Sequence, residues 1–171
     1  FFILLLSFDL SAEVWVAENS WDKSWENKYR EWVRNVLSPN IFVEGRYKGI
    51  KTDCADAVYS IRAIFAYENK LPFHFRNPNR YGRRYSQKMF QFNKYTKEND
   101  IRFKKFLNWM NAITGTYTIP GDSYSPNLDN QSINSGTLYL QFNEHVQIIK
   151  EVETFGLPIM YSSTVPIEVR E

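Results

Sequence analysis

The chain has 171 residues, 43% of them hydrophobic and 23% charged, with a net charge of +2. These totals are ordinary for a single globular domain, and a chain of this length folds without a metal or a disulfide. One cysteine excludes an intrachain disulfide, and with only His74 and His145 beside it a Cys/His zinc site is all but excluded. No motif calls for a cofactor. Aromatic residues make up 17% of the chain, a content that serves a core or a binding platform equally well.

Residues 1–12, FFILLLSFDLSA, have the apolar run and small-residue end of a secretory signal that has lost its basic leader. The run is too short for a membrane span. The alternative is a first β-strand. A signal places the protein outside the cytoplasm, in a bacterial envelope, periplasmic or secreted.

Trp21, Trp25, Tyr29, Trp32 and Val36 recur at helical steps, which predicts a helix within 13–37, capped by Ser20 and ended by Ser38-Pro39-Asn40. Its aromatic face reads as core before it reads as a ligand platform. A loop over 41–51 follows. Cys54, Ala57, Val58, Ile61, Ile64 and Phe65 then define an amphipathic helix that ends near Asn69, ahead of Leu71-Pro72.

Residues 76–105 hold ten Lys and Arg against Glu98 and Asp100, a local charge of +8 where the rest of the chain carries −6. Tyr81, Tyr85, Phe90, Phe92 and Tyr95 are interleaved. The plain reading is a solvated helical insertion with inward aromatics. An anionic envelope polymer is the alternative partner, and nucleic acid is the least favoured. A third helix is expected over about 98–113. Pro120–Ser135 reads as loop, followed by strands at Thr137–Phe142, His145–Val152 and Leu157–Val165. Helices first and an antiparallel meander last make an α+β arrangement, a single domain over 13–171.

Thr52-Asp53-Cys54 puts the lone thiol in the first turn of its helix, where unpaired N–H groups and the helix dipole favour a thiolate and can hold an oxyanion. Asp53 or Thr52 is the N-cap. Asp53 and Asp56 work against the thiolate by charge, and a buried core cysteine fits the same stripe. His145 opens a strand. A symmetric 153–156 turn sets it opposite Thr164, with Ser162 next on the same face; a one-residue slip substitutes Ser163. Cys54 as nucleophile, His145 as base and Ser162 or Thr164 as orienting group form the candidate catalytic set.

The runs Thr52-Asp-Cys-Ala-Asp-Ala-Val58, Ser135-Gly-Thr-Leu-Tyr-Leu140 and Glu144-His-Val-Gln-Ile-Ile149 resemble the papain-like, NlpC-type cell-wall peptidases. The resemblance implies a papain-like fold, a Cys–His pair and cleavage of an amide bond in peptidoglycan-like peptides. Ala55-Asp56 departs from the Ser-Gly that follows the nucleophile in that family, and Thr137 replaces an Asp. Pro120-Gly121-Asp122 is another match to its Pro-Gly-Asp element. Transglutaminase-like acyl transferases are the nearest other resemblance. A non-catalytic envelope-binding domain on the same fold is the alternative to an enzyme.

Overall fold

The computed structural model describes residues 13–76, 84–89, 91–92, 99–129, 131–164 and 166. The expected signal, Val165 and much of the basic segment, Tyr81, Phe90 and Tyr95 included, lie outside the described residues. The elements run α1 (Lys23–Asn35), α2 (Cys54–Glu68), β1 (His74–Arg76), β2 (Arg84–Ser86), α3 (Asn99–Asn111), α4 (Ile119–Asp122), β3 (Leu138–Gln141), β4 (His145–Val152) and β5 (Pro158–Ser162), with a 3-10 turn at Gly45–Tyr47. The architecture is α+β, with two small antiparallel sheets, β1-β2 and β3-β4-β5. None of the described helices is long and apolar enough to cross a membrane.

α2 is the centre of the molecule. Thirteen of its fifteen residues are buried, all but Arg62 and Glu68. The sequence pattern suggests one apolar stripe, but Ala55, Ala63 and Ala66 let neighbours approach on other sides as well. α2 packs on α3 and on β4. A helix hydrophobic on most sides belongs inside a core.

α1 is capped by Asp22, which accepts a hydrogen bond from the Trp25 N–H at 2.8 Å; Ser20 lies outside the helix. Tyr29 and Val33 face inward, whereas Val36 is 66% exposed and lies past the last turn, at the C-cap. Many of the described aromatic residues fill the core. Phe65 of α2 meets Trp21, Trp25, Tyr29 and Trp32 at centroid distances of 5.2–6.4 Å. A second cluster joins Trp15, Tyr67, Phe103 and Phe106, with Tyr67 stacked on Phe103 at 4.0 Å. Ring pairs of this kind add about 0.5–1.5 kcal/mol each beyond burial.

Among its described residues the basic segment contains strands as well as helix. Its described parts begin with the β1-β2 hairpin, where His74 pairs with Ser86 and Arg76 with Arg84, and end in α3. Phe92, Phe103 and Phe106 are buried in the core. Of the interleaved rings that are described, Phe92 is buried in the core and Tyr85 packs against it.

β4 is the middle strand of the C-terminal sheet. Leu140 pairs with Val146 and Gln147 with Ser162. The β4–β5 turn is not symmetric, since Val152 pairs with Pro158; a bulge between Ile149 and Glu151 removes the extra residue and restores the expected register at Gln147. Along β4, Val146 and Ile148 are 1% and 2% exposed and face the helical core, so His145 and Gln147 belong to the other face.

Candidate functional site

Cys54 is the first residue of α2, as expected, with Asp53 as the N-cap. The Asp53 carboxylate accepts from the Asp56 N–H at 2.9 Å, and Asp56 accepts from the Asp53 N–H at 3.2 Å. This reciprocal box satisfies two N–H groups that the helix cannot. Asp56 is 1% exposed, and its Oδ1 has no partner among the described residues. Burial, then the charge of Asp53, pushes the Asp56 carboxyl up to about 7. The flanking acid that opposes a thiolate is therefore substantially protonated near neutrality, and its counter-effect shrinks.

The thiol is 7% exposed and has no hydrogen-bond partner among the described residues. It lines a cavity of about 350 Å³ between the start of α2 and the β4-β5 strands, together with Thr52, Val58, Tyr161, Ser162 and Ser163. Thr52 does not cap the helix. Its Oγ1 is 3.4 Å from Ser163 Oγ, which also donates to the Thr52 carbonyl at 3.4 Å. Ser163 thus ties β5 to the segment that presents Cys54. Sequence reasoning reached it only as the product of a register slip; it follows Ser162 in the alternation, just past the end of β5, and is buried at 8% exposure.

His145 and Ser162 come together. The imidazole Nε2 lies 3.1 Å from Ser162 Oγ. Thr164 lies beyond the end of β5 and is exposed. No hydrogen bond joins the Cys54 thiol to His145, and the strand alternation gives the two side chains different faces of β4. Ser162 is a residue of the cavity lining, but its hydroxyl is engaged by the His145 ring on the outer face of the sheet.

A larger cleft of about 900 Å³ opens on the other side of α2, between α1, α4 and β3, and Val58 lines both spaces. Within it Arg62 is held by Glu26 at 3.1 Å and lies over the Trp21 ring at 3.7 Å and the Tyr29 ring at 4.3 Å. Asp122 accepts from Tyr59 Oη at 2.8 Å and from the Arg76 N–H at 3.0 Å. Pro120-Gly121-Asp122 therefore forms α4 and a wall of this cleft, not part of the Cys54 cavity. His74, also in the wall, has its pKa lowered by burial and by Arg84 and Lys88, so it is neutral at pH 7. Among the described residues, no three His, Cys, Asp or Glu side chains are placed to hold a metal ion.

No protein-family model matches the sequence, and neither the curated proteins nor the solved structures hold a significant match.

Proposed function

We propose that the chain is a papain-like cysteine hydrolase that cleaves an amide bond, in an exported, cell-wall-directed setting. The observations that carry this reading are Cys54 at the start of α2 on a cavity wall that also holds Ser162, and the hydrogen bond of Ser162 Oγ to His145 Nε2 on the outer face of β4. The tautomer that donates Nε2–H to Ser162 Oγ leaves Nδ1 as the nitrogen to act as base. Cys54 at a helix start supplies the nucleophile, with its own N–H as one oxyanion donor.

In this reading Nδ1 takes the thiol proton, the sulfur attacks the carbonyl carbon, and the imidazolium returns the proton to the leaving amine. Water then hydrolyses the thioester, with the same ring as base. The chemistry requires the imidazole to close on the thiol, a contact absent from the resting geometry. The export setting rests on the apolar run at residues 1–12 alone.

The test is thiol reactivity coupled to turnover. Cys54 should be alkylated by iodoacetamide faster than free cysteine at pH 7. Purified peptidoglycan fragments should release free amine, and Cys54→Ala and His145→Ala should each abolish the release. Slow alkylation together with no release overturns the reading. Incorporation of added glycine amide in place of water would instead define an acyl transferase.

A further inference from the structure

We infer that the cleft between α1, α2, α4 and β3 is a separate binding site for a chain bearing one carboxylate, with Arg30 as the carboxylate's partner. The inference starts from charge. Two acids and two arginines line the cleft along with neutral polar groups. Arg62 is committed to Glu26, and its flat face is taken up by Trp21 and Tyr29. Asp122 is committed to Tyr59 and to the Arg76 backbone, with the Arg76 guanidinium 4.0 Å away. Arg30 lines the same space half-buried, and among the described residues it has neither an ion pair nor a hydrogen bond. Arg30 is thus the wall's arginine without a direct partner among the described residues.

A guanidinium in a concave, partly dehydrated wall selects a planar carboxylate, which it can hold through two parallel N–H groups. The rest of the lining fixes the body of the ligand. Ser125, Gln131 and Ser132 offer neutral polar groups around the opening. Tyr124 and Phe142, 80% and 61% exposed, give apolar surface at the rim. Two rings of the floor are already covered. Trp21 carries Arg62 and stacks with Phe65, while Tyr29 carries Arg62 and stacks with Trp32. The ligand is therefore held by its carboxylate and by polar contacts, with an apolar group against the rim. The site lies across α2 from Cys54 and does not depend on the hydrolase reading.

The experiment is an amide chemical-shift titration of the intact protein with three probes: N-acetyl-Ser-Phe-Ala with a free C-terminal carboxylate, the same peptide as its C-terminal amide, and a trisaccharide of one galacturonate and two neutral galactose residues. At least one carboxylated probe should shift amides around Arg30 and residues 131–137. The peptide and the trisaccharide distinguish a peptide source of the carboxylate from an acidic-glycan source. If the peptide binds, its amide form should bind about tenfold more weakly, as expected for a lost charged hydrogen-bonding group. Arg30→Gln should weaken the carboxylated ligand to the same degree, and Arg30→Lys should restore part of the binding. Alkylating Cys54 should leave binding unchanged. The inference is overturned if no carboxylated probe binds at the cleft, if the peptide and its amide bind alike, or if Arg30→Gln has no effect.

Discussion

At the scale of the residue, Asp56 holds the clearest pH dependence. Its carboxyl is buried, faces Asp53 and has an oxygen with no partner among the described residues; its pKa rises from 3.8 to about 7 in the fold. The folded state therefore binds the proton more tightly than the unfolded chain. Stability from this group is greatest below the ordinary carboxylate range and is lost as pH rises towards about 7. The full shift corresponds to about 4 kcal/mol, which relaxation and water entry reduce. Asp56→Asn keeps an acceptor for the Asp53 N–H and should raise stability at pH 8 by about 2 kcal/mol. Urea midpoints between pH 4 and pH 8 should show the wild-type slope flattened in the variant. Arg62 is the second informative residue. Arg62→Ala removes two ring contacts and leaves Glu26 without its partner. A loss of about 1–2 kcal/mol is expected in thermal unfolding, less at high salt.

At the scale of the element, α2 and α3 carry the core. Phe106 is fully buried and meets Trp15, Phe73, Phe75, Phe92 and Trp109. Phe106→Ala should cost about 3–5 kcal/mol, measured by urea denaturation. The entry to β3 is equally specific. Gly136 has φ +83°, its N–H bonds the Ile149 carbonyl at 2.8 Å, and an added Cβ would lie 2.9 Å from the Tyr29 ring. Gly136→Ala should destabilise by about 1 kcal/mol or more, readable as a lower melting temperature. The elements themselves were largely legible in the sequence. β4 spans the expected His145–Val152, and α2 begins and ends where the pattern placed it. Strong periodicity and turn residues act locally, so they survive without knowledge of the partners. The β1-β2 hairpin was not legible, because its strands are three residues long and interrupted by charges. α4 was missed because Pro120-Gly121 reads as a loop and makes only a single helical turn.

At the scale of the whole molecule, α2 should be the last part to open. Its amides are enclosed by α1, α3 and the C-terminal sheet, whereas the β4–β5 turn exposes Phe155 at 91% and Leu157 at 64%. Hydrogen exchange should be slowest in 57–66 and fastest near 153–157. The candidate site divides along the same line. The sequence by itself determined that Cys54 opens a helix, that His145 opens a strand, and that the chain is α+β, because helical and strand periods and capping residues are local properties. Only the tertiary structure decided which hydroxyl meets the imidazole. The bulge at Ile149 and Glu151 sets the register, bringing Ser162 to His145 and turning Ser163 to Thr52. Only the tertiary structure, too, separated the thiol cavity from the larger cleft. Both spaces arise where a helix buried on most of its surface packs across a small sheet, and no single segment records how far apart two such surfaces will lie.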